Sequence, residues 1–308
     1  MNSKKIVIAG GSGTLGRLIA AHFSEKGFAV IVLTRTSAKE DGVVKYIHWD
    51  AKTHVDDWVQ HLDGAEAVIN LTGSSINVRF TDKNKKTILA SRINATNALG
   101  YAIQRLKNPP KTWMNASAVG IYKKHEHPQT EESTPATDFM GTVCAEWEKS
   151  FFLHTTTSTR KIALRIGIML TPTGGILEPL LKITKLGLGG KAGTGKQYIS
   201  WLHYKDLIGI IDFMLQKETI EGVVNCTSPN PVTNKAFMES LRASLQIPFG
   251  LPNPTLALKI GSWLMNTEAD LVLKGSNIIP QVLLNNNFQF RFASLLNALK
   301  DLKKQTPS

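Results

Sequence analysis

A glycine-rich turn near the start of the chain constrains the fold more than any other sequence feature. Residues 6–9 form an apolar run that predicts a buried parallel strand, and residues 17–26 have the apolar periodicity of a helix. Glycines between such a strand and helix let the backbone approach a pyrophosphate, which the free amides and the helix dipole stabilise. The alternative is a plain strand-to-helix turn without a ligand. We predict a nucleotide site formed by Gly10, Gly11, Ser12, Gly13, Thr14, Leu15 and Gly16.

The end of the second predicted strand, residues 28–34, indicates which dinucleotide is preferred. An NAD enzyme usually places Asp or Glu near this point to bind the ribose hydroxyls. Here Thr34 and Arg35 stand at the strand end, and the next carboxylate is Glu40. A guanidinium suits a 2′-phosphate because it can donate a planar pair of charge-assisted hydrogen bonds. The sequence therefore favours NADP(H) over NAD(H), the alternative being a solvated arginine in a surface loop.

Composition excludes several classes of protein. The chain has 308 residues and no apolar run approaching 18 residues, and its N-terminus passes directly into a strand. We therefore expect neither a membrane span nor a secretory signal. The two cysteines, Cys144 and Cys226, have no metal-ligand spacing and cannot form a disulfide framework. These features predict a cytoplasmic protein without a metal site.

The net charge of +12 raises the alternative of a nucleic-acid partner. A nucleic-acid surface needs basic residues in a stripe with interleaved aromatics, whereas here they are scattered among residues 83–86, 123–124 and 303–304. We therefore do not expect nucleic acid as a partner. The charge is better explained by solubility and by a field that attracts an anionic cofactor or substrate.

Alternating strands and helices follow the glycine turn. Helices are predicted most clearly over residues 81–106 and 139–152. The further strands are predicted over residues 46–49, 67–71, 112–116, 161–170 and 223–226. This order predicts an α/β fold with a doubly wound parallel sheet, in which ligands bind at the carboxyl ends of the strands. The candidate site residues at those ends are Leu71, Thr72 and Gly73, then residues 117–119, then residues 167–169.

The sequence changes character after residue 171, which predicts a second and smaller unit. Glycine-rich loops at residues 174–175 and 186–195 would be costly in a packed core. We predict a dinucleotide-binding domain of residues 1–171, with its sheet completed by residues 200–228. The rest, residues 172–199 and 229–308, is predicted to be a C-terminal substrate-side lobe.

Helix caps are also predicted in the second half of the chain. Thr233 is a candidate N-cap for a helix over residues 234–245. Asp206 is a candidate N-cap for a helix over residues 207–215, with His203 packed beneath it. Two further apolar helices are expected around residues 256–264 and 295–302.

Several motifs, in the correct order and over nearly the whole chain, resemble one family. They are the glycine turn, Val68-Ile-Asn-Leu-Thr-Gly73, Ser91-Arg92, Asn115-Ala-Ser-Ala-Val-Gly120, Leu164-Arg-Ile-Gly167, Leu186-Gly-Leu-Gly-Gly190, Trp201-Leu-His203, residues 225–234, Ile278-Ile-Pro280 and residues 288–292. Together they resemble the atypical and extended short-chain dehydrogenase/reductases. The similarity is to their NAD(P)-dependent epimerase-family branch, which has sugar-epimerase-like and cell-division-inhibitor-like members with a short C-terminal domain.

The resemblance carries expectations for the fold and for the site. It implies a Rossmann domain that binds NADP(H) and a small C-terminal lobe over the active-site cleft. It also implies that Leu71 and Thr72 line the cofactor and that Arg92 reaches toward it from its helix. Met169 would then lie near the nicotinamide half.

The proton relay typical of this superfamily is missing from the sequence. Working short-chain dehydrogenases carry Tyr-x-x-x-Lys on one helix face, where the lysine lowers the pKa of the tyrosine that moves the proton. None of the five tyrosines is followed by lysine four residues later. In the helix that should carry the pair, the corresponding residues are Met140 and Cys144, with Glu148 four further along. A shift of one residue gives Phe139 and Val143 instead.

Two hydroxyls are catalytic candidates in place of that pair. Ser117 ends a strand where the superfamily has its substrate-orienting hydroxyl, although a one-residue shift in register gives Ala118. Tyr122 follows in the next loop and could donate a proton, the alternative being a packed aromatic on the cleft wall. Cys144 is either a reactive thiol or an inert, buried helix cysteine.

Two classes of function are open at this point. The first is an NADP-dependent oxidoreductase or epimerase that acts on an unidentified small polar, sugar-like substrate, and the full substrate-side lobe favours it. The second is a non-catalytic regulatory or redox-sensing protein that binds NADP(H) and acts through a protein partner, and the missing relay favours it. We favour the first by a small margin.

Overall fold

The structure, a computed structural model, describes residues 4–36, 40–41, 43–255, 268, 273 and 275–305. Within these residues the strands, in chain order, are β1 (Lys5–Ala9), β2 (Ala29–Thr34), β3 (Glu40–Asp41), β4 (Val44–His48), β5 (Ala67–Asn70), β6 (Thr112–Ala118), β7 (Arg160–Ile166), β8 (Ile168–Leu170), β9 (Tyr198–Ile199), β10 (Trp201–His203), β11 (Gly222–Cys226) and β12 (Val232–Thr233). The α-helices are α1 (Thr14–Glu25), α2 (Asp82–Ile103), α3 (Phe139–Leu153), α4 (Leu177–Ile183), α5 (Tyr204–Gln216), α6 (Asn234–Leu245), α7 (Gln281–Asn285) and α8 (Leu295–Gln305).

One sheet of eight strands organises the described chain, in the order β11-β7-β6-β5-β1-β2-β4-β3. Seven of these strands are mutually parallel, and only the short edge strand β3 pairs antiparallel, with β4. The chain winds outward from β1 in both directions, so the strand order reverses between β1 and β5. This confirms the predicted doubly wound Rossmann fold and places a ligand crevice at the point of reversal.

Helices cover both faces of the sheet, which explains the apolar run at the start of the chain. Ile6 and Ile8 pack in one hydrophobic cluster with residues of α1, α5 and α8. Val7 and Ala9, which alternate with them, pack in the other cluster with residues of α2 and α3. A central parallel strand is buried on both faces and therefore carries no polar residue in this run.

The predicted strand over residues 161–170 is wrong in one respect, because it breaks at Gly167. A Cβ atom added at Gly167 would lie 2.5 Å from the carbonyl oxygen of Ser200, so only glycine fits there. Beyond this point β8 leaves the main sheet and pairs in parallel with β10. An antiparallel pair of β9 and β12 lies nearby in sequence. The main sheet is instead completed by β11, beside β7. The division into two domains stays a prediction.

The predicted cap of α6 is confirmed, whereas the predicted cap of α5 is wrong. Thr233 accepts a hydrogen bond from the amide of Ala236 at the start of α6. At α5 the N-cap is His203, whose extended backbone places Nδ1 where it accepts the amide hydrogen of Lys205, at 3.1 Å. Asp206 lies inside the first turn and accepts two backbone amides of the C-terminal segment, those of Arg291 and Phe292, at 2.7 and 3.0 Å.

The other helix predictions differ in outcome. The helix predicted over residues 295–302 corresponds to α8. The one predicted around residues 256–264 lies outside the described residues. No helix in the described ranges is both long enough and apolar enough to cross a bilayer.

His203 makes the stability of the fold depend on pH. Its ring is fully buried, stacks on Phe292 at 3.9 Å and lies 3.2 Å from the carboxylate of Asp301. Burial disfavours the charged ring more strongly than the nearby carboxylate favours it, and so lowers the pKa of His203 from 6.5 to about 4. Between these two values the unfolded chain binds a proton that the folded chain does not. The contribution is therefore present above pH 6.5 and is lost as the pH falls toward 4.

We expect the free energy of unfolding to decrease by about 1.4 kcal/mol for each pH unit lost in this window through His203 alone. Urea unfolding at several pH values would measure the slope. The matched variant is His203→Gln, which retains a polar side chain but cannot titrate. A smaller slope in the variant supports the assignment, and equal slopes in the two proteins contradict it.

Candidate functional site

A cleft of about 560 Å³ lies at the carboxyl ends of β1, β2, β4 and β5. These are the strands beside the reversal of strand order, where the fold class predicts a ligand. Eight of the predicted cofactor residues line this cleft, namely Gly10, Ser12, Gly13, Thr34, Arg35, Leu71, Thr72 and Gly73. Five other residues of the prediction, Gly11, Thr14, Leu15, Gly16 and Met169, lie in the surrounding structure and not among the lining residues.

The glycines of the turn are needed for different structural reasons. Gly10 has a φ of +76°, which a side chain strains, and a Cβ atom at Gly16 would lie 2.3 Å from the Cα of Gly11. The fold itself therefore needs glycine at both positions. Gly13 is different, because the nearest atom to an added Cβ is the carbonyl oxygen of Gly10 at 3.8 Å. The space over Gly13 opens to the cleft, and Gly13 caps α1 without a side-chain hydrogen bond.

The end of the cleft beside β2 and β4 has two basic residues and one acidic residue. The hydroxyl of Thr34 donates to Ser12 at 3.1 Å and so joins the end of β2 to the glycine turn. Arg35 and Lys52 both line the cleft beside this junction. Asp50 lies between the same walls, but its carboxylate accepts the hydroxyl of Thr53 and the amides of residues 52 and 53. Slight burial raises the pKa of Asp50, but these hydrogen bonds lower it by more, so the pKa lies below its usual value.

A buried polar network supports the cleft wall at the end of β5. Asn70 accepts the amide hydrogen of Thr72 at 3.1 Å and also its hydroxyl hydrogen. The amide of Asn70 donates to Asn115 at 2.6 Å, and Thr96 receives the indole hydrogen of Trp147 at 2.9 Å. Because Asn70 and Asn115 are completely or almost completely buried, these bonds hold the turn over residues 71–73 in one position.

Arg92 lies behind the cleft wall. Its guanidinium stacks over the ring of Trp147 at 5.1 Å and donates to the carbonyl oxygens of Ser74 and Ile88. A Cβ atom at Gly73 would lie 3.1 Å from its Cζ, so a side chain there would make the guanidinium shift by a few tenths of an ångström. Arg92 supports the turn that lines the cleft, and its direct contact with a cofactor stays a prediction. The adjacent Ser91 lines the cleft instead.

The two catalytic candidates meet in a buried network that the sequence did not predict. Ser117 donates to Glu148 at 2.6 Å, and Arg165 donates to both oxygens of that carboxylate at 2.8 Å. Arg165 also donates to the hydroxyl of Tyr122 at 2.7 Å, and Tyr122 donates to Asn225 at 2.7 Å. Ser117 is 3% exposed and Tyr122 is 1% exposed. All five side chains thus hold one another in the interior.

This placement argues against the catalytic roles predicted for Ser117 and Tyr122. Neither residue lines the cleft, and both hydroxyls already have hydrogen-bond partners. Burial raises the pKa of Tyr122 to about 12, despite the neighbouring Arg165, which makes the phenol a poor proton donor at neutral pH. The alternative interpretation of Tyr122 as a packed aromatic fits its position. Ala118, next along the strand, is half-buried.

Cys144 fits the inert alternative. It is 1% exposed, and burial raises the pKa of its thiol to about 12. The thiolate, which is the reactive form, is therefore almost absent at neutral pH.

Part of the cleft was not predicted from the sequence. The turn after β4 contributes Trp49, Asp50, Ala51 and Lys52, and the region around α2 contributes Ser74, Ser91 and Asn94. A signal for the first group was present, because the carboxyl ends of parallel strands meet at one edge and residues 49–52 follow a predicted strand. For Arg165 the signal was a charged residue among the apolar residues 162–166 of a strand, whereas Glu148 lies between Glu146 and Lys149 and had no such signal.

Comparison with known proteins identifies the family. The family model described as the NAD dependent epimerase/dehydratase family matches residues 6–143, and a domain of unknown function, DUF1731, matches residues 254–302. The epimerase family protein YfhF of Bacillus subtilis is 34% identical over 301 residues, which cover 96% of this chain and 97% of that protein. The chain belongs to the epimerase family. SSP1921 of Staphylococcus saprophyticus, also an epimerase family protein, is 32% identical over 97% of this chain and 99% of its own length.

Solved structures of the epimerase family have the same fold. The human epimerase family protein SDR39U1 (isoform 2), solved with NADPH, superposes with a TM-score of 0.85 at 28% identity, over 97% of this chain and 99% of that one. A nucleoside-diphosphate sugar epimerase from Corynebacterium glutamicum gives a TM-score of 0.77 at 26% identity, over 98% of this chain and 60% of that one. The predicted resemblance to atypical short-chain dehydrogenase/reductases is confirmed, and a nicotinamide cofactor follows from the family.

Proposed function

We propose that this protein is an NADP(H)-dependent oxidoreductase or epimerase that acts on a small polar, sugar-like metabolite. The observation that carries the proposal is the cleft itself, which joins a glycine turn open over Gly13 to a cationic end formed by Arg35 and Lys52. The human relative SDR39U1 was solved with NADPH, which supports the same cofactor here. When bound, the nicotinamide would accept or supply a hydride.

Each part of the cofactor would be held by a different group of cleft residues. The amides at the start of α1, beside Gly13, would hold the pyrophosphate because the helix dipole favours an anion there. Arg35, with Lys52 as a second cation, would hold the 2′-phosphate. Leu33 and Trp49 would form the apolar part of the adenine pocket. The turn over residues 71–73 is held rigid from behind by Asn70 and would orient the central part of the molecule.

The chain's contribution to the chemical step is orientation more than proton transfer. The sequence has no Tyr-x-x-x-Lys pair, and Ser117 and Tyr122 are engaged in the interior. A positioned general acid typically contributes about 10²–10⁴-fold to a rate. We therefore expect slower turnover than in relatives that have the pair, by roughly that factor.

The test of this function starts with the cofactor. Purified protein, freed of any bound nucleotide, is titrated calorimetrically with NADPH, NADP⁺, NADH and NAD⁺. Selective binding of the phosphorylated pair, followed by oxidation of NADPH with a carbonyl or sugar substrate, supports the proposal. Binding without turnover of any substrate would instead support a regulatory protein. Absence of binding by all four nucleotides would contradict both functions.

Arg35→Asp should reverse the cofactor preference. The substitution removes the cation that would meet the 2′-phosphate and places a carboxylate where the ribose hydroxyls of NADH can donate to it. We expect NADPH affinity to fall by about 10- to 100-fold, the equivalent of one or two charge-assisted hydrogen bonds, while NADH affinity is unchanged or improved. Calorimetry with both nucleotides measures the change.

The matched control for this charge reversal is Arg105→Asp. Arg105 is exposed just after α2, close in sequence to the start of β6 and therefore at the amino end of the sheet. The substitution Arg105→Asp changes the net charge by the same amount as Arg35→Asp but lies away from the cleft. An equal loss of NADPH and NADH affinity in Arg35→Asp, or an equal effect of both substitutions, would exclude a 2′-phosphate site at Arg35.

A further inference from the structure

The C-terminal half of the chain has a group of exposed apolar side chains that the proposed function does not use. They belong to two segments, residues 184–191 and residues 246–255. The four side chains are between 41% and 76% exposed, and they are Leu186, Leu188, Phe249 and Leu251. None of them lines the cofactor cleft. We call this surface the apolar patch.

Backbone hydrogen bonds hold the two segments of the patch side by side. The amide of Leu251 donates to the carbonyl of Gly187 at 2.8 Å, and the amide of Gly190 donates to the carbonyl of Leu251 at 3.0 Å. A Cβ atom at Gly250 would lie 2.6 Å from the carbonyl carbon of Gly189. The close backbone contact leaves no room for side chains between the segments, and the large apolar ones remain at the surface.

The carbonyl groups of the first segment are hydrogen-bonded within the protein. Those of Leu188 and Gly189 accept the side chains of Asn253 and Arg242, at 2.9 and 2.6 Å. Two other carbonyls of this segment accept backbone amides of the second segment, at 2.8 and 2.9 Å. The second segment contains three prolines, which have no amide hydrogen to satisfy. These groups can therefore leave water without losing hydrogen bonds.

The charge beside the patch is positive. Lys185 directly precedes Leu186, and Lys191 ends the same segment. Both lysines are exposed and make no ion pair within the part of the chain that the structure describes. Neither segment contains Asp or Glu. Glu178 and Glu239, the acidic residues that precede the two segments, each pair with a lysine of the same helix, at 2.8 and 4.0 Å.

The residue types of the patch match a lipid surface better than a protein interface. Hot spots of protein interfaces are enriched in Trp, Tyr and Arg, and Leu is under-represented there. Segments that lie in the interface of a bilayer combine Leu and Phe with Lys, because the apolar side chains enter the acyl boundary while the ammonium groups meet anionic headgroups. The patch has three leucines and one phenylalanine, with two lysines beside them.

We propose that the apolar patch binds the surface of an anionic lipid bilayer. The four apolar side chains enter the boundary between headgroups and acyl chains, and Lys185 and Lys191 contact the anionic headgroups. This interaction goes beyond the proposed function and does not depend on it. Because the patch shares no residue with the lining of the cofactor cleft, the protein can bind the bilayer and NADPH at the same time.

The test is sedimentation of the whole chain with lipid vesicles. Vesicles of equal parts phosphatidylcholine and phosphatidylserine are compared with vesicles of phosphatidylcholine alone. We expect binding to the mixed vesicles, and binding at least about fivefold weaker without phosphatidylserine, the effect of one lysine at an anionic surface. Leu186→Ser should weaken binding to the mixed vesicles about tenfold, the effect of one buried leucine side chain, and should leave NADPH affinity unchanged.

The matched control is Leu153→Ser. Leu153 ends α3, lies outside both segments and is 76% exposed, as is Leu186. We expect this variant to bind the mixed vesicles as the wild-type protein does. An equal loss in the two variants would overturn the proposal, since it would show general adhesion of apolar side chains and not a site.

Two further results would overturn the proposal. The first is a wild-type protein that does not sediment with the mixed vesicles. The second is a dimer, measured by light scattering, that Leu186→Ser dissociates, because a second copy of the chain would then cover the patch. Failure of the wild-type protein to bind NADPH would contradict the proposed function instead and would leave vesicle binding unaffected.

Discussion

We expect Gly13→Val to abolish NADPH binding while the protein stays folded. The valine side chain would occupy the open space over Gly13, where the pyrophosphate must approach the backbone. Outside the neighbouring residues, the nearest atom to the new Cβ is the carbonyl oxygen of Gly10 at 3.8 Å, so the backbone accepts a Cβ at this position. We expect at least about a 100-fold loss of NADPH affinity and a loss of stability of only about 1 kcal/mol, since valine is a poorer N-cap than glycine. Calorimetry and urea unfolding measure the two effects separately.

Gly16→Ala is the control that distinguishes a loss of ligand binding from a loss of fold stability. Its Cβ would lie 2.3 Å from the Cα of Gly11, so the first turn of α1 must shift away from the glycine turn. Such overpacking costs about 1–3 kcal/mol of stability whether or not a nucleotide is present. Retained NADPH affinity in Gly13→Val would show that the nucleotide binds elsewhere. A stability loss in Gly13→Val larger than that in Gly16→Ala would show that the substitution acts through the fold and not through the nucleotide site.

The fold was predictable because its central strands are buried on both faces. The run over residues 6–9 has no polar alternation and is followed by a helix, which together indicate a parallel strand with a crossover. The glycine turn was predictable for the same local reason, since its neighbours in sequence are also its neighbours in space. Eight of the cleft residues followed from these two patterns.

What could not be predicted depends on contacts between distant segments. Nothing local at Gly167 shows that the carbonyl of Ser200 will lie against it and end β7. Asp206 has the residue type of an N-cap, but its partners, the amides of Arg291 and Phe292, are about 85 residues away in sequence. His203 took the capping role because it stands directly before the helix with an extended backbone.

Contacts between distant segments also explain why the two catalytic candidates lie away from the cleft. Ser117 and Tyr122 are catalytic candidates because of their position at and after a strand end, and for Ser117 the resemblance to the superfamily implies a substrate-orienting hydroxyl there. The orientation of their side chains is decided by Glu148 and Arg165, which come from a helix and from a neighbouring strand. Their positions in the sequence correctly predicted that these hydroxyls lie near the carboxyl edge of the sheet. The sequence does not show which partners turn the two side chains inward.

The buried pair of Arg165 and Glu148 makes the interior sensitive to substitution. The side chain of Arg165 is 7% exposed and that of Glu148 is 10% exposed, and together with Ser117 and Tyr122 they satisfy each other's hydrogen bonds. Moving two charges out of water is costly, and only the close contact within the pair offsets that cost. Removing one member therefore leaves a buried charge without compensation.

We expect Arg165→Met to lower the free energy of unfolding by about 3–5 kcal/mol, with Glu148 left as the uncompensated charge. The double variant Arg165→Met, Glu148→Met removes both charges and should recover most of that loss, because apolar residues of similar volume can replace a buried ion pair at little cost. Urea unfolding of wild type, both single variants and the double variant forms the complete cycle. A double variant as unstable as the sum of the singles would show that the two residues act independently. The network would then be a set of separate contacts and not one unit that holds Ser117 and Tyr122 away from the cleft.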